Sequence, residues 1–213
     1  MRILKNGYGS DDDTETIVVM DCQKHLFSLP DDVAYLNVAY QCPFLKTVEE
    51  IGIQSLRKKN FPIHITRESF FDPPQELKGA FSKLINAQDP ERVAILASAS
   101  YGLSTVAKNV PLEKGQNVVL IDEQFPSNYY PWKRCADECE AELREVASPI
   151  QSQGRGQAWN EAFLAAIDEN TAAVSMPHVH WADGTKFDLK AIGEKCRSVG
   201  ALFIIDGTQS IGA

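Results

Sequence analysis

Residues 188–206 read DLKAIGEKCRSVGALFIID, and this stretch decides the fold class. Leu189–Val199 has the spacing of an amphipathic helix, with Asp188 placed to cap its start and Gly200 to end it. The apolar run Leu202–Ile205 follows and predicts a strand that is buried on both faces. A helix that leads into such a strand is typical of a parallel sheet, because parallel strands need a long crossover connection.

The same alternation of helix and strand patterns extends back along the chain. Four further apolar runs predict strands at Val93–Ala97, Val118–Ile121, Leu143–Ala147 and Ala172–Ser175. Helix patterns lie at Leu45–Lys59, Pro73–Ala87, Tyr101–Asn109, Ser127–Cys139 and Ala158–Ile167, and the second has Asp72 as N-cap and Pro73 at its first position. We therefore predict an α/β fold with a mainly parallel sheet and helices on both faces.

The composition is that of a soluble globular protein with one large domain or two small ones. The 213 residues are 44% apolar and 23% charged, and 21 Lys and Arg against 29 Asp and Glu give a net charge of −8. This charge disfavours nucleic acid as a partner, because a polyanion would be repelled. No apolar run approaches the roughly 20 residues that span a bilayer, so no membrane association is predicted.

The first residues do not resemble a secretory signal peptide, because acidic and small residues interrupt them, so a cytoplasmic location is expected. Residues 1–32 are polar and predict a loosely held N-terminal arm, whereas 33–213 hold the alternating pattern. The five cysteines are odd in number and form no CxxC pair, which argues against a disulfide framework and a zinc site. Cys135 and Cys139, four apart in a predicted helix, are interpreted as ordinary thiols, and no metal is predicted.

Loops that follow parallel strands build the site in folds of this class. Ser98–Gly102 (SASYG) places small residues and hydroxyls before a helix, which indicates either a phosphate cradle or a simple helix cap. Phe125 follows the second strand and offers a flat ring to a planar ligand, or else anchors its loop. Asp206 ends the last strand, with Gln209 nearby, and it either needs a cationic partner or caps a turn.

These three loops together suit one kind of ligand. A phosphate cradle, an aromatic ring and a carboxylate at neighbouring strand ends fit an anionic phosphate attached to a flat heteroaromatic ring that can be protonated. Pyridoxal phosphate is such a ligand.

Residues 33–213 resemble the fold type I pyridoxal phosphate enzymes, and in particular the class V aminotransferase family. That family also holds cysteine desulfurases, selenocysteine lyases, kynureninases and isopenicillin N epimerase-like proteins. The Asp and Gln of IIDGTQSIGA are a hallmark of the family. The matching segments, in order, are Tyr35–Pro43 (YLNVAYQCP), Ser98–Val110 (SASYGLSTVAKNV), Asp122–Trp132 (DEQFPSNYYPW) and Asp183–Ala213.

The resemblance implies a role for each of five cofactor-binding residues. Ala99 and Ser100 would hold the phosphate, and Phe125 would stack on the ring. Asp206 would pair with the pyridine nitrogen, and Gln209 would reach the ring hydroxyl. Asp206 would thereby keep the nitrogen protonated, so that the ring can accept electrons from the substrate.

The sequence departs from the family pattern in three places. Many relatives stack a histidine on the ring, whereas this chain has Phe125 in an FPSN setting, which is closer to the kynureninase and epimerase-like branches. Trp181, a further expected cofactor-binding residue, stands where desulfurases carry an asparagine that helps to hold the ring hydroxyl. The Schiff-base lysine of the family is expected beyond Ala213, together with the small C-terminal domain, so the fragment is expected to be inactive. The lysines at 108, 186 and 190 are interpreted as surface charges.

Two histidines, His178 and His180, alternate at strand spacing and are expected to face one side. With no third ligand in view, a pocket-lining or structural role is preferred to a metal site.

The leading hypothesis is the N-terminal part of a pyridoxal phosphate-dependent class V aminotransferase-like enzyme that acts on an amino acid, with a homodimer expected for the full-length protein. A cysteine desulfurase, a selenocysteine lyase or an epimerase-like member of the same family is an alternative. A non-catalytic cofactor-binding fragment is a second alternative, of another class. A dinucleotide-binding domain is disfavoured, because no glycine-rich fingerprint follows a strand.

Overall fold

The computed structural model describes residues 2–3, 18–19, 21–150 and 153–212. The chain forms two compact units, residues 1–69 and 70–213. Half of the predicted N-terminal arm, residues 1–32, lies outside the described residues, and the boundary after residue 32 stays a prediction.

The described residues of the first unit form a short antiparallel pair of strands and a helix. Strand β1 (Arg2–Ile3) runs antiparallel to β2 (Val18–Val19). Helix α1 (Lys46–Lys58) confirms the predicted helix to within one residue at each end. Two short 3₁₀ turns lie at Lys24–Leu26 and Pro62–His64.

Helix α2 (Glu68–Leu84) begins five residues before the predicted start at Pro73, so the predicted cap at Asp72 is wrong. Pro73 was a misleading start signal, because the residues that begin the helix lie upstream of it. The Ser69 hydroxyl accepts a hydrogen bond from the Thr66 N–H at 3.3 Å, and the Ser69 N–H donates to the Thr66 carbonyl at 3.2 Å. This reciprocal pairing resembles a capping box and starts the helix before the prolines.

The second unit alternates helices and strands, as predicted. After a 3₁₀ turn at Pro90–Arg92, the elements in chain order are α3 (Ala99–Asn109), β3 (Asn117–Ile121), α4 (Pro126–Cys139), β4 (Glu142–Val146), α5 (Arg155–Ala165), β5 (Thr171–Pro177), α6 (Leu189–Val199) and β6 (Leu202–Asp206). The Asp188 side chain caps α6, accepting hydrogen bonds from the N–H groups of Lys190 and Ala191, and Gly200 ends the helix with a left-handed φ of 77°. Both features confirm the prediction.

Strands β3 to β6 form a parallel sheet in the order β4–β3–β5–β6. Its register places Val119 beside both Arg144 and Val174, and it places Pro177 beside Asp206. The predicted parallel sheet with helices on both faces is confirmed. Because β3 and β5 occupy the centre, they are buried along nearly their whole length.

Each face of the sheet carries its own core, because side chains alternate along the strands. On one face, Val119 and Val174 pack with Trp159 and Phe163 of α5 and with Ile192 of α6. On the other face, the core is formed by Val118, Leu120 and Ala173 from the sheet together with Ala107, Val110 and Trp132. Burial of such side chains stabilises the fold by roughly 1.5–3 kcal/mol each.

The predicted strand Val93–Ala97 is wrong: this run forms no ladder within the described residues. Its backbone is extended at Val93, with φ −97° and ψ 121°. An apolar run predicts burial, but a strand also needs a hydrogen-bonded neighbour. No strand pairs with this run among the described residues. Its apolar side chains are not covered either, since Ile95 and Leu96 remain 49% and 46% exposed.

A polar cluster ties together the amino ends of β3 and β5. The Asp168 carboxylate accepts hydrogen bonds from Arg144 at 2.7 Å and from the Asn117 amide at 3.0 Å. The Thr171 hydroxyl donates to the side-chain oxygen Oδ1 of Asn117 at 2.8 Å. Hydrogen bonds from Arg144 and Asn117 lower the pKa of Asp168 to about 2.

Replacing this carboxylate by Asp168→Asn is expected to lower the free energy of unfolding at pH 7 by about 1 kcal/mol, a value discounted because the side chain is 36% exposed. A lowered pKa stabilises the fold above the unfolded-state value near 4, and this contribution is lost as the pH falls towards 2. Urea unfolding at pH 7 and pH 3 should therefore show a smaller difference at pH 3. Glu169→Gln, at the exposed neighbouring carboxylate, is the control, and an equal loss in both variants would contradict the prediction.

Candidate functional site

The candidate site lies at the carboxyl ends of β3, β5 and β6. The chain leaves β3 for β4 on one side and then returns past β3 to β5, so the crossovers diverge between β3 and β5. Ligands of open parallel sheets bind outside the strand ends at such a switch point. The strands that carry Phe125 and Asp206 are separated only by β5, a span of about 10 Å at the usual strand spacing.

Asp206 closes β6 and borders a cavity of about 560 Å³. Ala99 and Gly102 of α3 line the same cavity. The Oδ1 atom of Asp206 accepts hydrogen bonds from the N–H of Thr208 at 3.0 Å and from its hydroxyl at 2.6 Å. Within the described residues its Oδ2 atom has no partner, so one carboxylate oxygen is free to accept a further donor.

The start of α3 presents unused N–H groups beside this cavity. The Ser98 side chain caps the helix by accepting a hydrogen bond from the Tyr101 N–H at 3.1 Å, and the Ser98 carbonyl accepts one from the Gly102 N–H at 3.1 Å. The N–H groups of Ala99 and Ser100 have no acceptor in the described parts of the chain. A Cβ on Gly102 would come within 3.3 Å of the Leu96 side chain, so this position is tight.

Phe125 projects from a tight turn that follows β3. Glu123 in that turn has a left-handed φ of 52°, which is uncommon for a residue with a side chain. The Phe125 N–H donates to the Gln124 side-chain oxygen at 2.9 Å. The ring is 39% exposed and meets Trp181 edge to face, with 5.5 Å between the ring centroids.

Trp181 lies in the loop that follows β5 and is itself 48% exposed. Its indole N–H donates to the Glu123 carbonyl at 2.8 Å, which joins this loop to the turn before Phe125. Phe125 and Trp181 therefore form an aromatic pair that is held by a main-chain oxygen and presents open ring surface to the solvent.

The two histidines of the same loop lie in different surroundings. His180 is buried, with its ring 5.2 Å from that of Trp159. His178 is half-buried and borders a separate hollow of about 420 Å³. Burial, with a smaller contribution from Lys186, lowers the pKa of His178. The strand spacing led us to expect that both histidines face one side, but their side chains lie in different surroundings.

The sequence-predicted site residues fall into two neighbouring groups. Ala99 and Asp206 line one cavity, while Phe125 and Trp181 form the aromatic pair. Ser100 is exposed in the first turn of α3, and Gln209 is half-buried in the turn after β6. The loop after β5 joins the groups, because the N–H at 178 donates to the Asp206 carbonyl at 3.2 Å.

Sequence reasoning missed a buried network around Asn128 beneath this edge. The Asn128 side-chain oxygen accepts hydrogen bonds from the Ser175 hydroxyl at 2.6 Å and from the Trp132 indole at 3.2 Å. Its amide nitrogen and that of Gln124 are buried without a partner in the part of the chain that the structure describes. The spacing of Asn128 and Trp132, one helical turn apart, was the only signal in the sequence.

Sequence reasoning also missed an ion-pair cluster behind the aromatic pair. Asp183 accepts from the His180 Nδ1 atom at 2.9 Å and pairs through its other oxygen with Arg155. The Arg155 guanidinium lies 5.0 Å from the centroid of the Trp159 ring. Burial opposes ionisation of Asp183, but hydrogen bonds from Arg155 and the Thr185 N–H outweigh it and hold the pKa well below its usual range.

All five cysteines are free thiols. Across residues 21–150 and 153–212, no group of three or more His, Cys, Asp or Glu side chains is arranged to hold a metal ion. The same residues include no helix that combines the length and the apolar character needed to cross a membrane.

Comparison with known proteins finds relatives that are named as an aminotransferase or a cysteine desulfurase. Over 135 residues the chain is 30% identical to an uncharacterised aminotransferase, YcbU, of Bacillus subtilis, covering 63% of this chain and 34% of that protein. Over 139 residues it is 31% identical to a probable cysteine desulfurase of Methanothermobacter thermautotrophicus, covering 65% and 33%. The chain thus spans about a third of the length of these relatives.

Among solved structures, the fold is similar to that of a C-DES variant with glycine covalently linked to its PLP cofactor. The TM-score is 0.74 at 18% identity, and the match covers 89% of this chain and 50% of that one. Residues 62–213, which include the whole sheet and both groups of site residues, match the family described as Aminotransferase class-V. The chain belongs to the class V aminotransferase family.

Proposed function

We propose that this chain supplies the pyridoxal phosphate-binding part of an enzyme that acts on an amino acid. One observation carries the proposal: a carboxylate with a free oxygen at the end of β6 shares a cavity with the start of α3 and its unused N–H groups, and an open aromatic pair lies at the ends of the neighbouring strands β3 and β5. The fold of this chain is similar to that of a C-DES variant with a PLP cofactor, and this similarity supports the choice of cofactor.

The residues present fit the cofactor by their chemistry. The N–H groups of Ala99 and Ser100 and the Ser100 hydroxyl are donors suited to the phosphate, at the positive end of the α3 dipole. The small side chains of Ala99 and Gly102 leave the cavity open to it. The free oxygen of Asp206 suits a protonated ring nitrogen, because a carboxylate is the natural partner of a buried cation.

Each side chain then has a defined task. Asp206 would hold a proton on the ring nitrogen, and Phe125 would cover one face of the ring and exclude water from it. Gln209 and Trp181 would border the ring hydroxyl. When bound, the cofactor supplies an electron-accepting ring for reactions at the substrate's α-carbon.

The finer features are part of the same proposal. The substrate is an amino acid, the working protein is a homodimer, and its location is cytoplasmic. The exposed aromatic and aliphatic side chains of α2 support self-association, since Phe70 and Phe71 are 66% and 62% exposed.

Cysteine desulfuration is the second candidate, favoured by the relative from Methanothermobacter thermautotrophicus that is named a probable cysteine desulfurase. Desulfuration and aminotransfer differ in product. The protein, isolated with its cofactor, would convert cysteine to alanine in the first case, with the sulfur passed to an added thiol and released as sulfide by excess dithiol reductant. In the second case it would convert an amino acid with a keto-acid acceptor.

The chain is expected to bind pyridoxal phosphate reversibly. Phe125→Ala should weaken binding about tenfold because the ring loses its stacking partner, an effect near the upper end for one aromatic contact. Asp206→Asn should weaken it by a similar factor. Equilibrium dialysis with absorbance detection measures both, and Tyr130→Ala, an exposed aromatic of α4, is the control. Equal affinity in all four proteins would rule out this binding site.

The lysines of this chain are not expected to form a covalent link to the cofactor. Lys108, Lys186 and Lys190 are exposed, and none of them lines the cavity beside Asp206. The measurement is borohydride reduction after cofactor addition, followed by peptide mapping. Stoichiometric labelling of one lysine within residues 1–213 would contradict this expectation.

A further inference from the structure

We propose that His180 is a positioning residue for the aromatic pair of Phe125 and Trp181, acting through the Glu123 carbonyl while Asp183 holds its ring in place. The inference rests on the proposed function only where it concerns the cofactor. The positioning itself is a property of this chain's own contacts.

The ring of His180 is fixed on both nitrogens. Its Nδ1 atom lies 2.9 Å from Asp183 Oδ1, and its Nε2 atom lies 3.3 Å from the Glu123 carbonyl oxygen. The side chain has no solvent exposure, so water cannot replace either contact. Trp159 packs against the ring from the side, which leaves the imidazole one orientation.

Both neighbours of the ring are acceptors. A carboxylate and a carbonyl oxygen have no hydrogen to donate, so each contact is a hydrogen bond when the ring nitrogen that faces it carries the proton. Asp183 is itself held in place, because its second oxygen pairs with Arg155. Among the described residues, Asp183 contacts the ring directly and Arg155 lies beyond it.

The accepting carbonyl belongs to a strained residue. Glu123 has a φ of 52°, and its oxygen receives donors from both His180 and Trp181. A non-glycine residue keeps such a conformation only when its surroundings fix it. Phe125 follows two residues later, so the direction of its ring depends on the same turn.

Asp183→Asn tests this because it keeps the size of the side chain and removes the charge that joins the His180 ring to Arg155. Asp168→Asn is the matched control: it also breaks an arginine–aspartate pair, but at the amino end of β5. Long-range ¹H–¹⁵N spectra of histidine-labelled protein report on each ring nitrogen. The Nδ1 signal of His180 should shift in Asp183→Asn and stay unchanged in Asp168→Asn.

A second measurement follows the aromatic pair directly. Trp132 and Trp159 have no exposure, so acrylamide quenching of fluorescence reports on Trp181. The quenching constant should rise about twofold in Asp183→Asn and in His180→Leu, and pyridoxal phosphate affinity should fall about tenfold. His180→Gln keeps one hydrogen-bond donor, so its quenching constant and its cofactor affinity should lie between those of His180→Leu and of the unchanged protein. Asp168→Asn should change neither quantity.

The outcomes separate this inference from the proposed function. If Asp183→Asn matches Asp168→Asn in quenching, or leaves the His180 ring signals unchanged, the positioning role is wrong, whether or not His180→Leu folds. If the unchanged protein fails to bind pyridoxal phosphate, the proposed function fails, while the spectra and the quenching still decide the role of His180.

Discussion

Everything at the candidate site depends on the burial of β3 on both of its faces. Residues 117–121 are all buried, and the two cores of the second unit meet across them. A strand in this position cannot shift its register without exposing one core, so its carboxyl end is a fixed point. The turn that carries Phe125 begins at that point, and β5 beside it fixes the start of the loop that carries Trp181.

A comparable cluster of polar side chains lies at each end of the sheet. At the amino end, Asp168 ties the entry of β5 to that of β3 through Asn117 and pairs with Arg144 of β4. At the carboxyl end, Arg155 and Asp183 support a histidine that reaches the turn after β3. The first cluster lies at the starts of the strands and stabilises the folded sheet. The second lies against the candidate ligand surface, where a small displacement has a chemical consequence.

The sequence predicted the elements whose signal is local. Asp188 and Gly200 predict the two ends of helix α6. The short apolar runs predict β3 and β6. The run at 93–97 failed as a strand because pairing depends on a neighbour, which no local pattern reveals. For the same reason the contact between His180 and Glu123 could not be predicted, since 57 residues separate its partners.

Strand β6 pairs with β5 on one side only within the described chain. Its outer main-chain groups are therefore open to strand addition, and Leu202 and Ile205 give that edge an apolar surface. Asp206 is the last residue of this strand. Any segment that added to the edge, from this molecule or another, would stiffen the backbone that carries the carboxylate, so edge pairing and the placement of Asp206 are physically coupled.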